Sequence, residues 1–530
     1  MAEITKTAPA SDKAIPTFVW VIVFVLGLSA YFVGLSIPFV GPDEPRYAQV
    51  AREMFARGDW VTPTLGGHLW FEKPALLYWL EIASYNIFGV SEFAARLGPA
   101  LCGLGTVGAL WFVGYSVSKS ENQKPKTAFA NYLALIAAST LSLLIFAHGA
   151  SFDIVVTFTM TAALVCFYIF DSGAQKNPIA TAPGSDPITA SPRHRVSASL
   201  TLFYVFIGLS LLAKGLIGLV FPFAIVACYY VLCRRMPSRK FFVSLFWGTL
   251  LACGIAAIWY APMYARHGWP FIEEFFIQHH FARFTSNKYQ HPQPFYFFLW
   301  VLPLMLLPWT PFFVVAIWRS IKGVFHHRGT EAQRNEPSPP FALSPLLSFS
   351  LAWLLVPLVF FSFSGSKLPG YILPAVPAAV IITSIYAFGL VQRSRTWAYI
   401  VLTTAALVFA VVIAASLTVV PRIADSETVR GLIHAAAERG YRSEPAYGLH
   451  TVSHSAEFYA PDRLLREPGG SQKKLYGPSE IAAEMQRAKV KNALVLVPLE
   501  YAPQLQAATM LHSAFIRDNG ELAIYEVSLP

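Results

Sequence analysis

Charge is what this sequence has least of. Only 13% of its 530 residues are Asp, Glu, Lys or Arg, and 55% are hydrophobic. That charged fraction is about half that of an ordinary soluble domain. Long apolar runs recur along most of the chain, which excludes a soluble globular protein and predicts a polytopic membrane protein. Cysteine is also scarce. Cys102, Cys166, Cys228, Cys233 and Cys253 all fall in apolar segments and none forms a metal-type pair. This excludes a disulfide framework and predicts buried thiols. No GxGxxG or P-loop pattern occurs in a predicted inner loop, which fits chemistry that needs no nucleotide. The spans themselves hold almost no ionisable residues, and no internal repeat is visible. Both absences count against a lipid-phosphate flippase or an ion pathway.

The formal net charge of +10 raises the question of nucleic acid, but the basic residues are scattered among short loops. They read as orientation signals with attraction to anionic membrane lipids, so no nucleic acid partner is expected.

Hydropathy marks eleven spanning segments, at about 17–38, 94–115, 127–147, 153–171, 199–213, 216–233, 241–262, 295–318, 342–363, 371–391 and 397–420. The first is too long for a signal-peptide core and no small-residue cleavage site follows, so it reads as a retained helix. With the N-terminus inside, the inner loops hold twice as many lysines and arginines as the outer loops. The bias supports that orientation and places the C-terminus outside. Segment 74–89 is apolar but short and carries Glu81, and reads as a helix in or dipping into the interface. Inner loops 172–198 and 323–341 read as flexible connectors. Outer loops 39–93 and 263–294 are long, aromatic and rich in ionisable groups, a pattern that suits function.

Beyond about residue 421 the pattern changes to that of a soluble α/β domain, 421–530. Ser426 to Arg439 reads as an amphipathic helix with Ser426 as N-cap and Gly440 as stop. Asn492 to Leu499 has a buried-strand pattern, and Phe515 to Val527 reads as a hairpin turning at Asn519-Gly520. No catalytic motif is visible in this domain, and its His450 and His454 read as surface or packing residues.

The candidate chemistry lies at the outer ends of the spans. Asp43 and Glu44 lead a helix-like stretch after the first span, where acids suit the helix dipole or act as base or metal ligand. Glu72-Lys73 sits between Trp70-Phe71 and Pro74-Ala75-Leu76, as a surface pair or as a metal ligand beside a phosphate-binding lysine. Asp153 begins a span and would cap it or share a vestibule with Asp43. Lys214 interrupts two apolar runs, snorkelling or reaching a phosphate. His279, His280 and Arg283 occur together in the loop 263–294. One histidine could join a distant carboxylate on zinc. Lys367 and Tyr371 sit in the last outer loop, a turn or a headgroup contact. Acids and bases gathered on one face suit an amphiphilic substrate with its phosphate at headgroup level.

Four stretches carry a resemblance: Asp43-Glu44 with Arg46-Tyr47; Phe71-Glu72-Lys73-Pro74 followed by Leu77-Tyr78-Trp79; His280 to Phe284; and Lys367-Leu368-Pro369 with Tyr371-Ile372-Leu373-Pro374. The chain resembles the bacterial lipid-carrier-dependent glycosyltransferases of the C-type fold. It is most similar to the aminoarabinose (lipid A) transferase branch of the protein-mannosyltransferase-like superfamily. The resemblance implies an all-α polytopic membrane domain, 1–420, with two more helices than hydropathy shows, about 11–13 in all, and a small periplasmic α/β domain. It implies a sugar donor on undecaprenyl phosphate, and lipid A, another glycan or a protein as acceptor. It implies Asp43 as the key carboxylate, Asp153 as a second functional acid, and Glu44 beside them. Lys73, Arg283 and Tyr371 would hold the donor phosphate, with Lys214 and Lys367 as further candidates. Glu72 and His280 would be zinc ligands. His279 departs from the pattern, since relatives often carry an acid there.

Overall fold

The computed structural model describes residues 15–120, 127–176, 192–282, 292–326 and 345–530. The membrane part is built from helices throughout, because no other structure satisfies backbone groups in hydrocarbon without pairing strands into a closed barrel. In chain order these are α1 (Thr17–Phe32), α2 (Asp43–Arg57), α3 (Leu76–Phe88), α4 (Glu92–Ser120), α5 (Ala128–Ala138), α6 (Leu141–Ala147), α7 (Phe152–Lys176), α8 (Pro192–Lys214), α9 (Ile217–Leu232) and α10 (Arg239–Ile272). A π-helical segment, Glu273–Ala282, continues α10. Then come α11 (Phe297–Met305), α12 (Thr310–His326), α13 (Pro345–Ser362), a 3-10 segment (Pro369–Ala375), α14 (Val376–Val391) and α15 (Arg395–Glu427).

Among the described residues, six helices are long and apolar enough to cross a membrane, or seven when the bent pair α5 and α6 counts as one. The shorter apolar helices α1, α8 and α9 and the broken pair α11 and α12 add to these. Each of the eleven hydropathy segments therefore falls on a helix or a broken helix.

The breaks have local causes. Between α5 and α6, Ser139 Oγ and Thr140 Oγ1 return to the carbonyls of Leu135 and Ile136 at 2.6 and 2.7 Å, and the axis bends by 61°. Hydroxyls that bond back to the helix compete with its regular ladder. This break meets the one between α11 and α12. Leu141 N donates to Leu307 O at 2.9 Å, and Trp309 Nε1 donates to Ser139 Oγ at 3.2 Å. Each broken helix thus supplies the polar partners the other has lost.

Two stretches differ from the sequence expectation. Much of 263–294 is not loop, since α10, kinked at Gly268 with φ +61°, and its π-helical continuation carry the chain to Ala282. The helix expected from Ser426 to Arg439 is two helices. Ser426 Oγ bonds to Ile423 O inside α15, which runs on to Glu427. Thr428 is extended, its Oγ1 accepts from Arg430 N at 3.3 Å, and α16 (Arg430–Glu438) starts there. Threonine, not Ser426, is the residue whose side chain covers the free amide.

The soluble domain is a five-stranded sheet. Its strands are β3 (Ala446–Leu449), β4 (Lys474–Leu475), β5 (Asn492–Pro498), β6 (His512–Asp518) and β7 (Leu522–Ser528), in the order β4-β3-β5-β7-β6. An earlier two-stranded hairpin pairs β1 (Thr64–Leu65) with β2 (His68–Leu69). The sheet is parallel across β4-β3-β5 and antiparallel across β5-β7-β6. Alternation along β5 sends Leu494 and Leu496 to the face covered by α16 and by α17 (His454–Tyr459). Val495 and Val497 go to the face covered by α18 (Pro478–Ala488). The expected hairpin turns at Gly520, with φ +91°.

Candidate functional site

The site is laid out by helix ends. α1 ends before Val33, and residues 33–42 turn back to start α2 with Asp43. Asp43 is the most exposed carboxylate of the site, 55% by side chain, and pairs with Arg46 one turn on. Arg46 also donates to Pro42 O at 2.8 Å and lies 5.7 Å from the centre of the Trp70 ring. The charges of Asp43 and Glu72 both act on Arg46, so this guanidinium links the acidic pair to the Glu72-Lys73 motif. Glu72 and Lys73 are themselves in contact at 3.0 Å, and both side chains are mostly buried.

Glu44 is placed quite differently from Asp43. Its carboxylate accepts from Arg96 at 2.7 and 3.1 Å, from Val40 N at 3.1 Å and from Ala150 N at 2.7 Å. Arg96 in turn donates to the carbonyls of Leu35, Ile37 and Pro38. Glu44 and Arg96 together tie α2, α4, the turn after α1 and the turn before α7 into one unit. A buried ion pair of this kind holds only when the remaining donors and acceptors are satisfied, as they are here.

Asp153 is the second residue of α7. Ser151 Oγ, not Asp153, accepts from the first free amide, that of Asp153, at 3.1 Å. The Asp153 side chain pairs with Lys214, the last residue of α8. Lys214 Nζ lies 5.4 Å from the centre of the Tyr371 ring. Gly370 packs directly on this group: a Cβ there would sit 2.3 Å from Asp153 Oδ2. The Asp43 and Asp153 groups adjoin through Phe152, whose ring packs edge-on against Tyr47 at 5.0 Å and Tyr78 at 5.3 Å.

Lys367 is buried in the turn after α13. It donates to Ser364 O at 2.7 Å and to Gln293 O at 2.9 Å, so two of its three donors fasten these two segments together. Burial holds its pKa below the usual lysine range. The side chain of His280 lies outside the described residues, as does the whole of Arg283. Among the described residues no three His, Cys, Asp or Glu side chains gather as a metal site, and the Glu72 carboxylate faces the Lys73 ammonium. The described donors alone do not make up a zinc site.

Further residues stand beside those the sequence singles out for chemistry. Arg96 is the first. A lone arginine at the start of an apolar run is costly to bury without a partner, and that cost was its signal. Glu81 is the second. It is 0% exposed on α3, which is not one of the spans, and neither carboxylate oxygen has a hydrogen-bond partner among the described residues. Burial, then the charge of Glu44, pushes its pKa well above the usual carboxylate range. Tyr459 and Glu92, described further below, had no signal in the sequence.

Comparison with known proteins bears on this geometry. The profile of the Dolichyl-phosphate-mannose-protein mannosyltransferase family matches residues 17–272. An undecaprenyl phosphate-alpha-4-amino-4-deoxy-L-arabinose arabinosyl transferase of Aeromonas salmonicida is 30% identical over 68% of this chain and 58% of its own length. The transferase of the same name from Yersinia enterocolitica is 29% identical over 65% of this chain and 55% of its own. Over residues 17–272 the chain is similar to the protein-mannosyltransferase family, and over about two thirds of its length it is similar to the aminoarabinose transferases. The match spans less than three fifths of their length. The crystal structure of ArnT from Cupriavidus metallidurans bound to undecaprenyl phosphate shares the fold, with a TM-score of 0.72 over 97% of this chain and 98% of its own at 21% identity. Its apo structure gives 0.71 over 96% and 98%. The fold shared with that structure thus extends over both the membrane part and the soluble domain.

Proposed function

We propose that this chain is an integral membrane glycosyltransferase that moves 4-amino-4-deoxy-L-arabinose from undecaprenyl phosphate to lipid A. It would act at the periplasmic face of the bacterial inner membrane. The observation that carries this reading is the exposed Asp43 at the head of α2, in a group that adjoins the Asp153, Lys214 and Tyr371 group through the Phe152 ring. The names of the relatives supply the donor.

The chemistry asks for little else. The bond from the sugar's anomeric carbon to the carrier phosphate breaks, and a bond to an acceptor oxygen forms. The carrier phosphate leaves with the bonding electrons. Lys73, Lys214 and Tyr371 hold the charge that grows on it, in a partly buried place where such contacts are strong. Asp43, exposed at the head of α2, orients or activates the acceptor oxygen. Asp153 holds Lys214 toward Tyr371, and Glu44 holds the turn that presents Asp43. A single displacement inverts the anomeric carbon; product with the donor's configuration would exclude it.

Mass spectrometry of lipid A tests the whole reading, in cells carrying the wild-type chain, no copy, or Asp43→Ala. A pentosamine added to the phosphate groups only with the wild type supports it. Unchanged lipid A in all three rejects this acceptor and turns attention to core oligosaccharide and periplasmic proteins.

A further inference from the structure

The turn from α1 to α2 is held by side chains at several of its backbone groups. Arg96 binds the carbonyls of Leu35, Ile37 and Pro38, and Glu44 binds Val40 N. One buried amide in this stretch, Phe39 N, finds its partner 420 positions away. It donates to Tyr459 Oη at 3.0 Å. Tyr459 Oη in turn donates to Glu92 Oε1 at 2.9 Å, and Arg430 approaches the same oxygen at 3.4 Å. Glu92 and Arg96 stand one turn apart on α4, so the same helix face grips the turn from both sides. The Phe39 ring, 1% exposed, is packed edge-on against Phe458 at 4.8 Å and lies 5.0 Å below the Arg96 guanidinium.

Tyr459 and Phe458 belong to α17, in the soluble domain. That helix lies on α2. Arg52 of α2 sits 4.7 Å from the Phe458 ring. His454, at the other end of α17, lies close enough to Arg46 and Asp43 for their charges to act on it. The domain is also locked at the β1–β2 hairpin, where Gly66, with φ +60°, lies flat against Arg466. A Cβ there would sit 2.0 Å from the Arg466 Cζ atom.

We propose that the soluble domain is a working part of the transfer site, and that Tyr459 is a positioning residue for Asp43. The Tyr459 hydroxyl, oriented by Glu92, fixes Phe39 and with it the short segment from Val40 to Pro42 that sets where Asp43 stands. A buried amide left without its partner would move to find another, and a shift of about 1 Å at a reacting group costs up to about a hundredfold in rate. The proposal rests on Asp43 as the functional carboxylate.

The test uses the full-length protein in detergent with the sugar-charged undecaprenyl phosphate as donor and lipid A as acceptor. Tyr459→Phe keeps the ring and removes the hydroxyl. It is expected to lower kcat about tenfold, the equivalent of ~1.4 kcal/mol in the barrier, with KM within about twofold. Glu92→Ala is expected to do the same, and the double variant to be no worse than either alone, since both break one relay. Glu92→Gln still accepts the hydroxyl's hydrogen bond and is expected to retain wild-type kcat. Glu484→Gln breaks an ion pair to Lys473 within the soluble domain and leaves kcat unchanged. Wild-type kcat in Tyr459→Phe, an effect on KM alone, or additive losses in the double variant would each overturn the proposal. If Tyr459→Phe fails to fold, Glu92→Ala against Glu92→Gln decides it. Full activity in Asp43→Asn would instead overturn the reading on which it rests.

Discussion

Helix α7 carries an aspartate near each end, and the two are used in opposite ways. Asp171, at the end far from the site, is saturated. Tyr230 donates to it at 2.8 Å, Tyr229 at 3.3 Å, and Arg235 closes an ion pair. Arg235 also stacks over both tyrosine rings, at 5.0 and 5.1 Å. Asp153, at the site end, is paired with Lys214 alone among the described side chains. The same acid on the same helix is a staple with three side-chain partners at one end and the partner of a single lysine at the other. Residue type does not separate these roles. The number of partners does, because a carboxylate with all its acceptor positions filled has nothing left to offer a substrate.

Substitutions can break that contrast. The largest effect is expected at the site end. Asp153→Ala should cut glycosyl transfer by about a hundredfold or more with the protein still folded, as for loss of a group that aligns phosphate-binding charge. Asp171→Ala should leave kcat near wild type and lower stability by roughly 2–4 kcal/mol, because Arg235 loses its counter-charge. Turnover and thermal unfolding of the two variants, measured side by side, check this. Equal losses of activity would erase the distinction.

Glu44→Gln extends the comparison to the acidic pair. It strands Arg96, which is buried, and should cost about 3–5 kcal/mol in stability. Asp43→Asn should leave the melting temperature nearly unchanged, since Asp43 is more than half exposed. Lys367→Met is expected to be milder. It removes two hydrogen bonds to carbonyls, worth roughly 1–3 kcal/mol together. It also removes a pH slope. Because burial lowers the pKa of Lys367, the folded state releases that proton before the unfolded state does. Wild-type stability therefore rises with pH toward the ordinary lysine range, and the variant should show less of that rise. Unfolding followed between pH 7 and pH 10 would show it.

The smallest effect is expected at Glu81. Its folded pKa is raised, so the native state gains from the neutral form below the ordinary glutamate range and loses that gain as pH climbs. Glu81→Gln does not titrate. It should melt like the wild type near pH 4 and above it at pH 8. A variant less stable than wild type at pH 8 would mean that the glutamate is charged and partnered.

Much of the fold was legible because hydrocarbon is an unforgiving solvent. Each apolar segment read from hydropathy is a helix or a broken helix, and even the short pair divided at Lys214-Gly215 is divided there. The hairpin at Asn519-Gly520 and the strand at Asn492 were legible for a similar reason, since turn chemistry and period-two burial are local. The helix expected from Ser426 was misplaced. A long apolar helix that runs past the boundary and a threonine two residues on decide that junction, and propensity does not rank one hydroxyl above the other. Of the candidate site, Asp43, Lys73, Asp153, Lys214 and Tyr371 announced themselves as polar residues at the ends of apolar runs. Glu44 announced itself in the same way, yet its acceptors are filled by Arg96 and two backbone amides.

Legible from the chain alone are its many membrane crossings, the approximate positions of its helices, and the gathering of acids and bases beside apolar sequence. Those features follow from local composition and from the cost of charge in hydrocarbon. Only the tertiary structure decided which partner each charge has. Glu44 meets Arg96 from 52 positions away, Asp153 meets Lys214 from 61, and Phe39 meets Tyr459 from 420. A hydrogen bond reaches about 3 Å, so its partner is chosen by how helices pack and not by any property of the residue that seeks it.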